Sequence, residues 1–292
     1  MKSYSPLRYP GGKSKTYDYI KLLIDLNKCS SYIEPFAGGA GVALKLLLNG
    51  NVNRIIINDY DRAIFAFWYS VLYNTESLVE RILNTPINMD TWYKQKDIQK
   101  QKDIADILDL GFSTLFLNRT NRSGIIKAGV IGGKKQNGSY KMDCRFSKED
   151  IVKKICNIAL YKKNITVYNM DALEFIDKVI PNTRNSFTFF DPPYFNKGPS
   201  LYTNFYSEKD HIELSLKIKN KLRNRKWIVT YDMCDPIKKM YSNLNHIEFH
   251  LTYTAQLKTQ GKEYMFFSKN TVFPYEQPIP LKLVSHSKPC LY

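Results

Sequence analysis

Seven short apolar runs, rich in β-branched and aromatic residues, constrain this chain more than any other feature of its sequence. Four of them are followed by a helical pattern, and strands that alternate with helices are typical of a parallel sheet with right-handed crossovers. The last two runs are too close together for a crossover helix, so we expect them to form an antiparallel pair. Ligands of such an open α/β fold bind at the carboxyl ends of the strands. The predicted strands are 32–33, 54–57, 165–168, 186–190, 227–230, 247–253 and 263–267.

The regular alternation is interrupted between the second and third strands. About ninety residues separate the second strand's helix from the third strand, far more than a normal α/β connection needs. We therefore predict an inserted domain at 73–164 within a main domain formed by 1–72 and 165–292. Its first part is polar and predicted to be helical, and its second part, 118–146, has the glycines of turns or a hairpin. The tail after Phe273 carries four prolines and is expected to lie on the surface.

The charge of the chain points to a polyanionic partner. There are 43 Lys plus Arg against 27 Asp plus Glu, which gives a formal net charge of +16. Residues 112–164 hold 12 Lys or Arg against 3 Asp or Glu, so more than half of the excess lies in less than a fifth of the chain. A solubilising surface is the alternative, but this clustering favours a nucleic acid.

Several classes of protein are excluded. The five cysteines are far apart and include no CxxC pair, which favours a reducing cytoplasm over disulfides or a zinc site. Charged residues break every long apolar stretch, so we expect no membrane span. Residues 1–13 lack the apolar segment of a secretory signal. We therefore expect a cytoplasmic protein without a metal.

Polar residues follow the first three predicted strands. Residues 34–41 form a glycine-rich turn after the first strand, where a ligand could approach the backbone, although such turns are also purely structural. Asp59 ends the second strand some twenty residues later, a spacing that suits a carboxylate bound to ribose hydroxyls. A helix cap is the alternative for Asp59 and for Asp61. Asp171, after the third strand, could cap a helix, bind an adenine amino group, or both.

The sharpest motif is the tetrapeptide Asp191, Pro192, Pro193 and Tyr194, which follows the strand 186–190. Two successive prolines lack amide hydrogens and fix the backbone, so the carbonyl groups before them remain unshared acceptors. An acidic side chain and a backbone carbonyl can together accept both hydrogens of an exocyclic amine. The adjacent aromatic ring can stack on the base that carries this amine. A structural Pro-Pro turn is the alternative, but the order of strand, glycine turn and tetrapeptide favours an amine site.

With these motifs in this order, the sequence resembles the DNA adenine-N6 methyltransferases of the Dam kind, also called the D12 class. The resemblance runs from Pro6 to about Lys269 and has the motif order of the α group, in which a target-recognition insertion precedes the catalytic tetrapeptide. It is carried by 7–13 (LRYPGGK), 34–41 (EPFAGGAG), 58–59 (ND), 116–124 (FLNRTNRSG) and 191–194 (DPPY).

The resemblance implies a Rossmann-like S-adenosylmethionine-dependent methyltransferase sheet of seven strands with an antiparallel last strand, plus a target-recognition domain at 73–164. It implies S-adenosylmethionine as cofactor and double-stranded DNA as partner, with a restriction endonuclease of the same site as a further candidate partner. The catalytic residues that it implies are Asp191, Pro192, Pro193 and Tyr194. The cofactor-binding residues that it implies are Tyr9, Lys13, Phe36, Gly38, Asp59, Asp171 and Asp191.

The expected DNA contacts come from the insertion and, as the resemblance implies, from Arg8, for which a contact to a base and a contact to a phosphate are equally good alternatives. Arginine pairs with guanine and asparagine with adenine in the major groove, whereas lysine mostly neutralises phosphate. Bracing of the hairpin against the main domain is the alternative for the arginines of the insertion. The predicted DNA-binding residues are Arg8, Asn118, Arg119, Asn121, Arg122, Lys134 and Lys135.

The expected reaction is methyl transfer to N6 of an adenine flipped out of duplex DNA. Asp191 and the carbonyl of Pro192 would accept the N6 hydrogens, and Tyr194 would stack on the base. The alternatives are transfer to cytosine N4, transfer to RNA or to a protein glutamine, and a DNA-binding regulator that binds S-adenosylmethionine without turnover.

Overall fold

The computed structural model describes residues 4–8, 13–196, 206–254, 258–274 and 281–286. Over these residues the chain forms the predicted α/β fold around one mixed sheet. The strands are β1 (Ser31–Glu34), β2 (Arg54–Asn58), β3 (Ile165–Tyr168), β4 (Ser186–Phe190), β5 (Lys226–Asp232), β6 (His246–Thr254), β7 (Lys258–Phe267) and β8 (Leu283–His286). The helices are α1 (Tyr17–Leu26), α2 (Gly41–Leu48), α3 (Arg62–Tyr73), α4 (Thr75–Asn84), α5 (Met89–Lys100), α6 (Ile107–Thr120), α7 (Lys148–Ala159), α8 (Ala172–Lys178), α9 (Glu208–Lys221) and α10 (Asp235–Met240).

The strand order is β3-β2-β1-β4-β5-β7-β6-β8. The first five strands in this order are parallel, whereas β7 is antiparallel to both β5 and β6. The prediction that the last two of the seven strands form an antiparallel pair is therefore confirmed, but β8 and not this pair ends the sheet. Because β1 lies between β2 and β4, the carboxyl ends of β1 and β4 meet where the strand order reverses, which is the usual ligand site of such sheets.

All seven predicted strands are present, but the predicted number of strands was too low. The described part of the tail adds β8, which pairs antiparallel with β6. Residues 283–286 contain no proline, so they can supply the amide hydrogens that a strand needs. This strand covers an edge of β6 that would otherwise expose unpaired backbone groups.

Apolar residues cover both faces of the sheet. Successive residues of a strand point to opposite faces, and Tyr32 and Ile33 of β1 accordingly belong to different apolar clusters. The cluster of Tyr32 includes Phe67 of α3, and that of Ile33 includes Phe175 of α8 and Leu214 of α9. These two layers hold the sheet between helices and leave its strand ends available for a site.

The predicted insertion, 73–164, contains α4 to α7, so its helical first part is confirmed. Phe116 of α6 and Ile155 of α7 join the same apolar cluster as α3. Gly111 allows α6 to approach α3 closely, because a Cβ at this position would lie 2.6 Å from the carbonyl oxygen of Ala66. Helix α6 continues through Thr120, so the predicted turn region begins later than expected. The division into two domains stays a prediction.

None of the helices in the described part of the chain combines the length and the apolar character that crossing a membrane requires.

Candidate active site

The glycine-rich turn after β1 is held by side chains from neighbouring elements. The buried Asn58 donates from Nδ2 to the carbonyl oxygens of Pro35 and Met170, both at 3.0 Å, and accepts from the Met170 amide at 2.9 Å. Gly38 has a φ of +46°, and its carbonyl accepts from Trp68 Nε1 at 2.9 Å. The ends of β1, β2 and β3 are thereby tied together around a turn that needs a left-handed residue.

Glu34 ends β1 and anchors the start of α2 from a distance. Its Oε1 accepts from the amide of Ala43 at 3.1 Å, and the capping residue Ala40 offers no side-chain acceptor of its own. Burial raises the pKa of Glu34 to about 8, a shift that the nearby Asp191 increases and that the Tyr32 hydroxyl and the Ala43 amide oppose. Glu34 is therefore largely protonated at neutral pH.

Asp59 follows β2 and binds the glycine turn. Its Oδ2 accepts from the Gly38 amide at 2.8 Å, and its Oδ1 accepts from the Asp61 amide at 3.0 Å. Asp61, and not Asp59, caps the N-terminus of α3 by accepting from the Ala63 amide. Burial and then the carboxylate of Asp61 raise the pKa of Asp59 to about 7. Each carboxylate oxygen has two acceptor positions, so Asp59 can still bind a ligand hydroxyl.

Asp171 and two aromatic rings lie around the same turn. Asp171 caps α8 by accepting from the Leu173 amide at 2.8 Å, and its side chain is exposed. The rings of Phe36 and Tyr206 meet edge to face with centroids 6.1 Å apart. Burial raises the pKa of the Tyr206 phenol, and the carboxylates of Asp171, Asp210 and Asp59 add to that shift. Tyr206 was not predicted from the sequence.

The tetrapeptide after β4 is held by a network of buried polar groups. Lys13 Nζ lies 2.7 Å from Asp191 Oδ1 and 3.0 Å from the Tyr194 hydroxyl. Thr230 donates to the same Asp191 oxygen at 2.8 Å. Lys13 and Tyr194 are buried, and so are both prolines of the motif. Among the predicted site residues, Lys13, Asp191 and Tyr194 are therefore brought together directly, whereas Tyr9 lies outside the described residues.

The two oxygens of Asp191 differ in their partners. Oδ1 accepts from both Lys13 and Thr230, whereas Oδ2 has no hydrogen-bond donor within the described ranges. The Asp191 side chain keeps 24% of its surface exposed, compared with 3% for the side chain of Lys13. Asp191 is thus fixed through one oxygen and can offer the other to an incoming amine.

Sequence reasoning missed three residues that hold the tetrapeptide from β5 and β7. One is Thr230, and the others are acidic. Asp232 accepts from the amides of Phe195 and Asn196 at 2.9 and 3.1 Å, and Glu263 Oε1 accepts from the Tyr194 hydroxyl at 2.5 Å. The signal for Glu263 was present, because a charged residue directly before the apolar run 264–267 of a central strand needs a partner.

Arg8 is fixed by the end of α6. Asn118 accepts from the Arg8 amide and donates to the Arg8 carbonyl, both at 2.7 Å, and it also donates to the Gly124 carbonyl at 2.8 Å. Gly124 has a φ of +77°, and a Cβ there would lie 2.3 Å from the Arg8 oxygen. The backbone of Arg8 is therefore clamped between a side-chain amide and a glycine.

Asn121 has a similar bracing position. It accepts from Trp92 Nε1 at 2.7 Å and donates to the carbonyls of Ile125 and Ile126. The expectation that Asn118 and Asn121 read adenine does not fit these contacts, because both side-chain amides are occupied by protein groups. Reading a base with either one would require these hydrogen bonds to break.

The basic residues of the insertion fall into two groups. Arg119 is buried at the end of α6, where burial and then Arg8 lower its pKa to about 10; within the described chain no carboxylate lies within 4 Å of it, and its Nε has no partner. Arg122, Lys134 and Lys135 are exposed. Of these four residues, Arg122, Lys134 and Lys135 are directly available at the surface of the described structure.

A comparison with protein families identifies the chain's relatives. The family described as "D12 class N6 adenine-specific DNA methyltransferase" matches residues 9–255. This match includes the glycine turn, Asp59, the insertion and the tetrapeptide, so every part of the site described above lies in it except Arg8 and Glu263.

Two curated proteins align with most of the chain. The type II methyltransferase M.MjaIII of Methanocaldococcus jannaschii is 27% identical over 263 residues, which cover 83% of this chain and 85% of that protein. The type II methyltransferase M.CviBI of Paramecium bursaria Chlorella virus NC1A is 23% identical over 261 residues, which cover 86% and 91%. Among solved structures, M. capricolum TrmK in complex with S-adenosyl-homocysteine has a TM-score of 0.36 at 8% identity, and the alignment covers 88% of this chain and 71% of that one.

The raised pKa of Glu34 makes stability depend on pH. Between the ordinary pKa of a glutamate and about 8, the folded state holds a proton that the unfolded chain has lost, so the free energy of unfolding falls as pH rises through this window. In Glu34→Gln we expect this fall between pH 5 and 8 to be smaller, by on the order of 1 kcal/mol per pH unit. Urea unfolding at several pH values measures it.

The matched control is Glu76→Gln, because Glu76 is an exposed glutamate of α4. The control should follow the wild-type profile. Identical pH profiles for the wild type and Glu34→Gln would contradict the assignment of a buried, protonated Glu34.

Proposed function

We propose that this chain, which belongs to the family of D12 class N6 adenine-specific DNA methyltransferases, recognises a specific sequence in duplex DNA and methylates an adenine flipped out of it. Membership of the family makes the chain an enzyme that methylates N6 of adenine in DNA, with S-adenosylmethionine as the methyl donor. The family also decides against the alternatives of cytosine-N4 transfer and of a regulator without turnover. The observation that carries the proposal is Asp191 Oδ2, which has no donor among the described residues and lies beside the double proline.

The residues at the carboxyl ends of β1, β2 and β3 fit S-adenosylmethionine. Asp59 has spare acceptor positions for ribose hydroxyls, and the exposed Asp171 can accept from the adenine amine while it caps α8. Phe36 in the glycine turn and Tyr206 against it offer aromatic surface to the cofactor. The turn lacks the Lys-Ser or Lys-Thr of a phosphate-binding loop, which agrees with a cofactor without phosphates.

The tetrapeptide provides the chemistry of the amine. When bound, S-adenosylmethionine supplies an electrophilic methyl group whose sulfonium leaves as a neutral thioether. Asp191 Oδ2 and the carbonyl of Pro192 accept the two N6 hydrogens, so the nitrogen lone pair points away from the ring toward the methyl group. The same carboxylate then takes the proton that N6 gives up. Positioning of this kind accounts for much of the rate in such displacements.

Tyr194 is placed to contact the flipped adenine. Tyr194 is 3% exposed in the free chain, and its hydroxyl is anchored by Lys13 and Glu263. A base can therefore stack on this ring only after neighbouring groups have moved. Flipping an adenine out of a duplex costs a few kcal/mol, roughly the scale that stacking and phosphate contacts offset.

The basic surface of the insertion supplies the DNA contacts. Arg122, Lys134 and Lys135 are exposed, and Arg8 is presented by a clamped backbone. Arg119 is buried with no carboxylate within 4 Å in the described structure, and Asp150 offsets only part of its burial, which suits a cation that a DNA phosphate neutralises. Asn118 holds the backbone of Arg8, and Asn121 braces the turn after α6. Residues 73–164 thus act as the recognition domain on the catalytic domain.

Two further parts of the proposal concern context. M.MjaIII and M.CviBI are named type II methyltransferases, which supports a restriction endonuclease of the same site as a partner of this enzyme. Digestion of methylated and unmethylated DNA with an endonuclease from the same source tests this. The cytoplasmic location expected from the cysteines stays a prediction.

Asp59→Ala should weaken the binding of S-adenosylmethionine about tenfold or more, because charge-assisted hydrogen bonds to the ribose are lost. Calorimetric titration without DNA measures the dissociation constant. The control is Asp106→Ala, which removes the cap of α6 and should lower stability without changing affinity. Wild-type affinity in Asp59→Ala would reject the ribose assignment.

Asp191→Ala should lower the rate of methyl transfer by at least about a hundredfold, because the group that accepts an N6 hydrogen is lost. Labelled-methyl transfer to unmethylated genomic DNA measures the rate, and mass spectrometry should identify the wild-type product as N6-methyladenine. Asp97→Ala, at an exposed residue of α5, is the control. Full activity in Asp191→Ala overturns the mechanism.

Substitutions of the exposed lysines and of the exposed arginine in the insertion should affect DNA binding in different ways. The double change Lys134→Ala and Lys135→Ala should weaken the binding of cognate and scrambled duplexes alike. It should also reduce the slope of log affinity against log salt by about one unit per lost phosphate contact. Arg122→Ala should weaken the free energy of binding to the cognate duplex by roughly 1 to 3 kcal/mol and reduce the enzyme's preference for that sequence. Binding titrations across salt separate the two, with Lys178→Ala on α8 as control. An unchanged sequence preference in Arg122→Ala would contradict the hypothesis that this residue reads a base.

A further inference from the structure

We propose that Glu263 is a positioning residue for methyl transfer, which acts through Tyr194 and Lys13 on the adenine-binding tetrapeptide. The inference rests on the function proposed above for Asp191 and Tyr194, and it adds a residue of β7 that no sequence motif suggested. Glu263 lies in the strand where the sheet turns antiparallel, far along the chain from the tetrapeptide.

The position of Glu263 is costly for a carboxylate. Its side chain has no solvent exposure, and the residues that follow it, Tyr264 to Phe267, are buried apolar groups of the core. An ionisable group in such surroundings lowers stability unless polar partners compensate for its lost hydration. Because an apolar residue of similar size would fill this position at less cost in stability, the carboxylate indicates a role other than packing.

The partners of Glu263 are residues of the active site. Its Oε1 accepts from the Tyr194 hydroxyl at 2.5 Å and lies 3.6 Å from Lys13 Nζ. Lys13 in turn donates to the same hydroxyl at 3.0 Å and to Asp191 Oδ1 at 2.7 Å. The four side chains form one connected set, in which a shift of Glu263 would move the residue expected to stack on adenine and the cation that fixes Asp191.

The register of β5 with β7 explains why Glu263 stands at this place. Glu263 is the antiparallel partner of Asp232, and Thr230 pairs with Met265 two residues away. From β5, Thr230 holds the Asp191 side chain and Asp232 holds the amides of Phe195 and Asn196. From β7, Glu263 accepts from the hydroxyl of Tyr194. These three residues therefore fix the first and last residues of the tetrapeptide and the two residues that follow it.

A role in positioning predicts a kinetic effect that a merely structural role would not produce. If Glu263 only filled the core, its replacement would lower the melting temperature and leave the turnover of the folded enzyme unchanged. If it holds Tyr194 and Lys13, turnover falls because the amine acceptors and the stacking ring lose their alignment. Misplacement by about 1 Å can cost as much as a hundredfold in rate.

The test is a mutant cycle on the full chain, with labelled S-adenosylmethionine and unmethylated genomic DNA. Glu263→Leu removes the acceptor, Glu263→Gln keeps a neutral one, and Tyr194→Phe removes the hydroxyl while it keeps the ring. We expect kcat to fall roughly tenfold or more in Glu263→Leu and in Tyr194→Phe, with the KM for DNA within about twofold of wild type. Glu263→Gln should recover part of this loss.

The double variant decides whether Glu263 acts through Tyr194. Because both single changes break the same hydrogen bond, Glu263→Leu with Tyr194→Phe should have a kcat close to that of the slower single variant. The matched control is Glu248→Gln, an acid-to-amide change on the neighbouring strand β6, which should leave kcat unchanged. Fully multiplicative losses in the double variant would overturn the proposal, as would a wild-type kcat in Glu263→Leu.

Two readouts keep the outcome clear. If Glu263→Leu does not fold, a wild-type kcat in Tyr194→Phe overturns the proposal, because the anchored hydroxyl would then be irrelevant. Asp191→Ala, assayed in parallel, separates this inference from the function on which it rests. An active Asp191→Ala rejects the proposed function, whereas an inactive Asp191→Ala beside a fully active Glu263→Leu rejects the role of Glu263 alone.

Discussion

The parallel pairing of β1 with β2 on one side and β4 on the other is the constraint on which the rest of the site depends. Ile33 is in register with Ile56 of β2 and with Thr188 of β4, so the three strands end at the same edge of the sheet. The glycine turn, the acidic residue after β2 and the tetrapeptide after β4 are thereby forced together, although more than 150 residues separate the first from the last. The insertion between β2 and β3 leaves this edge intact.

The edge gathers acids in a chain whose net charge is +16. Glu34, Asp59, Asp171, Asp191 and Asp232 all lie at or just after the carboxyl ends of parallel strands. Each accepts from a backbone amide or from Lys13, which offsets part of the cost of burial. Glu34 is largely protonated among them, so the negative charge of this edge rests on the other acids. In the proposed function this charge favours the cationic sulfonium, and the basic residues of 73–164 favour the phosphates of DNA.

Local sequence patterns predicted the fold well because they depend on short-range physics. The β-branched runs, the helical periods and the glycine turn gave seven of the strands and the helices that follow β1 to β4. The eighth strand escaped because the prolines around residues 283–286 suggested an irregular tail. Strand pairing at a sheet edge is a tertiary contact, and no local pattern in the tail encoded it.

Site residues that belong to a contiguous sequence motif were predicted, and site residues that stand alone in the sequence were missed. The tetrapeptide, Lys13 and Asp59 belong to contiguous patterns, and the structure brings them to one edge. Glu263, Thr230 and Tyr206 contribute through contacts between distant strands and loops. The sequence marks Glu263 as a charged residue that needs a partner, but only the three-dimensional arrangement shows that its partners are Tyr194 and Lys13. For Asn118 and Asn121 the residue type suggested base reading, but burial against the backbones of Arg8, Ile125 and Ile126 directs both amides inward.

A crystal structure of the enzyme with a cofactor analogue and a duplex that carries its recognition site would test the central claim most directly. The account predicts that N6 of the target adenine lies within hydrogen-bond distance of Asp191 Oδ2 and of the Pro192 carbonyl, while Oδ1 remains on Lys13 and Thr230. A target base that is bound elsewhere, or a complex in which Asp191 faces Lys13 with both oxygens and contacts no amine, would contradict it.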